Sequence, residues 1–81
     1  MILTVDVGNS NIVLGAVEGE QIAFEARLRT DATKTSDEYC IDLKMILEVY
    51  GVKQELIEGA IIASVVPQVL NSVKTALKKL D

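Results

Sequence analysis

The chain has 81 residues, which bounds it to one small domain or a piece of a larger one. With 49% apolar residues it is neither disordered nor a charged tail, and a net charge of -4 with interspersed signs excludes the basic face that nucleic acid requires. A lone cysteine, Cys40, excludes an internal disulfide and fits a reducing cytoplasm; Asp6 interrupts the first apolar run where a signal peptide would need continuity, and no run approaches the ~20 residues of a membrane span.

Ile2 to Val7 reads as a strand, apolar on both faces apart from Thr4 and Asp6, as expected of a strand buried on both sides. Gly8-Asn9-Ser10 is a turn, Asn11 to Val17 a second apolar run, and Glu18-Gly19-Glu20 the next turn. Gln21 to Thr30 alternates, with Ile22, Phe24, Ala26 and Leu28 on one face and Ala23, Glu25, Arg27 and Arg29 on the other. That pattern predicts a half-exposed antiparallel strand, with both arginines in solvent.

Asp31 to Lys34 is a loop. Thr35-Ser36-Asp37-Glu38 is a capping box, in which the Thr and Glu side chains satisfy each other's backbone donors. Tyr39, Leu43, Ile46, Leu47 and Tyr50 follow at helical spacing as a core stripe, Cys40 lies one position off it, and Gly51 ends the helix. Lys53 to Ile57 reads as a short turn and Gly59 to Val65 as a buried strand. Pro67 suits a first helical position. Val69, Leu70, Val73, Ala76, Leu77 and Leu80 form the second helix's stripe, and Lys74, Lys78 and Lys79 complement its dipole. The fold class is therefore α/β: a mixed sheet in the order β-β-β-α-β-α, covered by helices.

The stretch with chemical content is Asp6-Val7-Gly8-Asn9-Ser10-Asn11. A carboxylate at a strand end in apolar surroundings is costly without a partner or a task. Gly8 permits a tight turn and close approach of a ligand. Asn9, Ser10 and Asn11 gather amides and a hydroxyl beside backbone N–H groups, a set able to wrap phosphate oxygens. A carboxylate alongside can hold Mg²⁺ through the ion's retained waters. There is no GxxxxGK[ST] and no helix after the turn, so this is a hairpin cradle rather than a Walker loop. The plainer reading is an ordinary Gly-Asn turn with Asp6 bonded to local N–H groups.

Asp6 to Asn11 resembles the first phosphate motif of type III pantothenate kinases, DxGNTN, with Ser10 for the usual Thr. Lys34-Thr35-Ser36-Asp37-Glu38-Tyr39 resembles the family's KTxDEY segment, and Ala63-Ser64-Val65-Val66-Pro67 its SSVVP segment, with Ala63 for the first Ser. The family belongs to the acetate kinase, sugar kinase and actin superfamily. The resemblance implies a ribonuclease-H-like sheet that forms an incomplete half of a two-domain actin-like kinase fold. Residues 1–81 would then be a truncated N-terminal phosphate-binding domain, needing a second domain or a partner chain for stability. It implies ATP-dependent phosphorylation of pantothenate in coenzyme A synthesis, Mg²⁺, a monovalent cation (K⁺ or NH₄⁺), and a homodimer.

By the same resemblance, Asp6, Val7, Gly8, Asn9, Ser10, Asn11, Ile12 and Val13 would bind ATP phosphates, and Asp6 would orient Mg²⁺ through water. Ser64 faces the cleft or caps locally. Asp37 and Glu38 are read as helix-capping acids. The family's catalytic aspartate, in a GxDR segment, has no counterpart in these residues, so the chain alone is expected to be inactive. Two other readings stand beside this one: a non-catalytic nucleotide-binding or regulatory protein, since family members also carry the name Bvg accessory factor, and a purely structural fragment.

Overall fold

A computed structural model describes residues 1–80. Strands β1 (Ile2–Val7), β2 (Asn11–Glu18) and β3 (Gln21–Arg29) are followed by helix α1 (Ser36–Val49), a 3₁₀ turn (Gln54–Leu56), β4 (Gly59–Ser64) and α2 (Pro67–Lys79). The element order matches the sequence expectation throughout. The sheet order is β3-β2-β1-β4, with antiparallel β1–β2 and β2–β3 pairs and a parallel β1–β4 pair. The crossover through α1 therefore carries the chain from one sheet edge to the other.

One face of the sheet makes the core. Leu3, Val5 and Val7 of β1, Ile12, Leu14 and Ala16 of β2, and Phe24 and Ala26 of β3 are buried against Tyr39, Leu43 and Leu47 of α1 and Val69, Val73 and Ala76 of α2. The stripe predicted for α1 is correct except at its end. Tyr50 is 49% exposed and lies at the C-cap, where its ring stacks on Phe24 at 5.0 Å between centroids. Gly51 then adopts φ 70°, a left-handed conformation that favours glycine and ends the helix. Cys40 is half-buried against the core. Among the described residues, no helix is long and apolar enough to cross a membrane.

The opposite face is open, and this corrects three expectations. β1 is not buried on both sides: Asp6 is exposed, and Ile2 and Thr4 are half-buried. β4 is not a buried strand: it has no buried residue, and Ile61 is 66% exposed. It lies at the sheet edge, with only β1 as a neighbour. The third correction concerns Ile22. A register shift between Ala16 and Val17 pairs Val17 with Ile22 but Ala16 with Phe24, so β3 carries an extra residue there. Such a bulge flips all side chains beyond it to the other face. Phe24 and Ala26 therefore stay buried, whereas Ile22 joins the open face at 69% exposure.

The predicted capping box is complete. Glu38 N–H donates to Thr35 Oγ1 at 3.1 Å, and Thr35 N–H donates to Glu38 Oε1 at 2.9 Å. Losing such a cap costs about 1 kcal/mol. In a chain of this size that lowers Tm by about 4–8 °C. Thermal unfolding of Thr35→Ala followed by circular dichroism is expected to show that loss.

Candidate functional site at the carboxyl ends of the parallel strands

The parallel pair sets the location. Val7, the last residue of β1, is in register with Ser64, the last of β4, and Val65 N–H donates to the Val7 carbonyl at 3.1 Å. Ligands of open α/β sheets gather outside the carboxyl ends of their parallel strands. The Gly8–Ser10 turn and the Ser64–Val66 segment both lie at that end.

The turn is fixed by three bonds. Gly8 N–H donates to the Asn11 carbonyl at 2.9 Å, Thr30 N–H donates to the Ser10 carbonyl at 2.9 Å, and Thr30 Oγ1 donates to the Gly8 carbonyl at 2.8 Å. The N–H groups of Asn9 and Ser10 meet no acceptor among the described residues, and Asn9, Ser10 and Asn11 are exposed. No turn residue has positive φ. Gly8 is favoured for a different reason than backbone freedom: a Cβ there would sit 3.1 Å from the Asn11 carbonyl oxygen, a tight contact. Any side chain would push against the bond that closes the hairpin.

The eight residues from Asp6 to Val13 divide by face. Val7 and Ile12 bury their side chains in the core and can meet a ligand only through their backbone. Val13 is half-buried on the open face, in register with Asp6 on one side and Arg27 on the other. Asp6 does have apolar cross-strand neighbours, Val13 and Ala63, but the expected cost of burying it is absent. Its carboxylate is exposed at the end of the open face and makes no ion pair among the described residues, so it is available without a desolvation cost. Arg27 and Arg29 are exposed, as the alternation predicted, and Arg29 is in register with Asn11.

Other singled-out residues have local work. Ser64 Oγ accepts from Val66 N–H at 2.9 Å and donates to the Val66 carbonyl at 3.0 Å, so its hydroxyl serves the entry to α2. Asp37 pairs with Lys79, joining the start of α1 to the end of α2. No group of three or more His, Cys, Asp or Glu side chains that could hold a metal occurs among the described residues. A cavity of about 190 Å³ is lined by Leu3, Gln54, Ile57, Gly59, Leu77 and Leu80. It lies at the other end of β1, so the candidate site is a surface turn rather than a pocket.

Sequence reasoning missed the groups that brace this turn. Thr30 supplies two of its three bonds. The next residue, Asp31, is clamped by Tyr39, whose hydroxyl donates to the Asp31 carbonyl at 2.8 Å and accepts from Asp31 N–H at 3.0 Å. Tyr39 is thus both a core side chain, 1% exposed, and a tether for the loop. Hydrogen bonds from the Thr33 hydroxyl and N–H hold the Asp31 carboxyl below its usual pKa. The Asp42 carboxylate, bonded to Lys34 Nζ at 2.5 Å, raises the lysine's pKa. A signal for Tyr39 was present in the KTSDEY segment; its hydroxyl's partner was not.

Fold and site together define an α/β chain with a donor-rich hairpin turn at the carboxyl end of its parallel strands. The family model for type III pantothenate kinase matches residues 2–80. A type III pantothenate kinase of Finegoldia magna is 44% identical over 79 residues, covering 98% of this chain and 30% of that protein. One from an Exiguobacterium species is 47% identical over 70 residues, covering 86% of this chain and 28% of that protein. One from Syntrophotalea carbinolica is 40% identical over 79 residues, covering 98% and 31%. The chain belongs to the type III pantothenate kinase family, and it spans about 30% of the length of these relatives.

Proposed function

We propose that the protein carrying this chain transfers the γ-phosphoryl group of ATP to the hydroxyl of pantothenate, and that residues 1–81 supply its N-terminal phosphate-binding domain. The observation that carries the site assignment is the polarity of the hairpin: the Gly8 and Ser10 carbonyls are bonded to Thr30, while the N–H groups of Asn9 and Ser10 are left without acceptors. Phosphoryl transfer depends on positioning and charge neutralisation more than on covalent chemistry. In this reading the Asn9 to Asn11 backbone and polar side chains hold phosphate oxygens, with Val7, Gly8, Ile12 and Val13 framing them.

Asp6 fits Mg²⁺. An exposed carboxylate outside any group of three or more such ligands among the described residues suits an ion that keeps most of its waters and takes further oxygens from a polyphosphate. Bound there, the ion would neutralise phosphate charge, and Asp6 would hold it beside the turn through its waters. The K⁺ or NH₄⁺ and the general base are assigned to residues outside this chain. A cytoplasmic setting follows from the proposed place in coenzyme A synthesis. A homodimer is part of the same reading, and the exposed ridge of Ile41, Met45 and Val49 on α1 offers apolar area for such a contact.

The test is pantothenate-dependent ADP release by the protein that carries this chain. Release that requires both pantothenate and Mg²⁺ is expected, and none from the isolated 81 residues. ATP binding without transfer in the longer protein would favour the regulatory reading; no binding would favour a structural role.

A further inference from the structure

Thr30 lies at the end of β3, yet its bonds act on the β1–β2 turn. Its hydroxyl takes the Gly8 carbonyl and its N–H takes the Ser10 carbonyl, so one residue holds two of the turn's peptide planes. No peptide bond in the described chain is cis. In a planar trans peptide the C=O and the following N–H point in opposite directions. Fixing the Gly8 carbonyl on Thr30 therefore directs the Asn9 N–H away from Thr30. Fixing the Ser10 carbonyl pins the far side of the same turn to β3. A rotation of the Gly8–Asn9 peptide would present a carbonyl oxygen where the Asn9 donor now stands, and a carbonyl repels a phosphate.

Thr30 is itself held. Tyr39 clamps both backbone polar groups of Asp31, the next residue, and Tyr39 is locked in the core of α1. A chain of contacts thus runs from the helix through Tyr39, Asp31 and Thr30 to the turn. We propose that Thr30 is the positioning residue of this turn, setting the direction of the Asn9 N–H toward phosphate oxygens, with Tyr39 fixing Thr30 in place. The inference rests on the phosphate reading of the turn.

The test uses the protein that carries this chain and Mg-ATP as the probe, with Kd from calorimetry and KM and kcat from ADP release. Thr30→Val keeps the size and the backbone N–H and removes only the hydroxyl donor. Its Kd and KM for Mg-ATP are expected to rise about tenfold, the upper range for one neutral hydrogen bond, with kcat at saturation changed less than the KM. Thr30→Ser restores the hydroxyl and should return Kd to within about twofold of wild type. Tyr39→Phe leaves Thr30 intact and should weaken binding about two- to fivefold, which decides the matter should Thr30→Val fail to fold. Wild-type affinity in Thr30→Val, or equal weakening in Thr30→Ser, would overturn the positioning role while leaving the phosphate reading in place. Absence of Mg-ATP binding by the wild-type protein would remove both.

Discussion

Replacing Asp6 by Asn is expected to lower kcat/KM for ATP by about 10²–10³-fold, the range for removing one preorganised electrostatic group from a charged transition state. The side chain keeps its size and loses only its charge. Asp6 is exposed and makes no ion pair among the described residues, so the substitution should change stability by no more than about 0.5 kcal/mol. The pairing of those two outcomes is what matters. A large loss of turnover at unchanged Tm assigns Asp6 to chemistry. Turnover within about twofold of wild type would remove it from the site.

The second large effect falls on stability. Tyr39 is 1% exposed and spans the core and the loop that braces the turn. Truncating a buried aromatic ring to Ala costs about 3–5 kcal/mol. A domain this small holds only about 0.05–0.15 kcal/mol per residue in total. Over 81 residues that is about 4–12 kcal/mol, so Tyr39→Ala should remove a large share of the total and lower Tm by well over about 10 °C. Tyr39→Phe loses only the hydroxyl bonds, about 1 kcal/mol, and should lower Tm by about 4–8 °C. Thermal unfolding by circular dichroism separates them. Equal shifts in the two variants would mean that the ring's packing contributes nothing beyond its hydroxyl.

Much of this structure was legible in the residues. The capping box at Thr35 and Glu38, the stop at Gly51, and the start at Pro67 are local signals, because each depends on groups within a few residues of chain. The stripes of both helices, apart from Tyr50, followed from periodicity. What failed depended on pairing. Counting back from the Gly19 turn without a bulge places Arg29 opposite Ser10. The extra residue near Ala23 shifts the register so that Thr30 takes that place. The same bulge moved Ile22 to the open face. Apolar composition also could not say that β4 would be an edge strand, since a continuous apolar run describes a strand without fixing its neighbours.

The candidate site was legible to a similar depth. Asp6 to Asn11 stood out by residue type, and the family segments stood out by order. The environment of Asp6 did not, because exposure is set by the open sheet face rather than by the neighbouring residues in sequence. Gly8 was read as a turn former, whereas its backbone is unexceptional and its missing Cβ eases the close approach of the Asn11 carbonyl. Thr30 and the Tyr39 hydroxyl act over separations of 22 and 8 residues, beyond the reach of a local motif.

The most direct test of the account is to titrate Mg-ATP into ¹⁵N-labelled protein carrying this chain and to follow the backbone amides. The largest shifts are expected at Asn9, Ser10 and Asn11, with smaller ones at Gly8 and Thr30, and their loss when Asp6 is Asn. Saturable ATP binding that leaves the amides of residues 8–11 unmoved would contradict it.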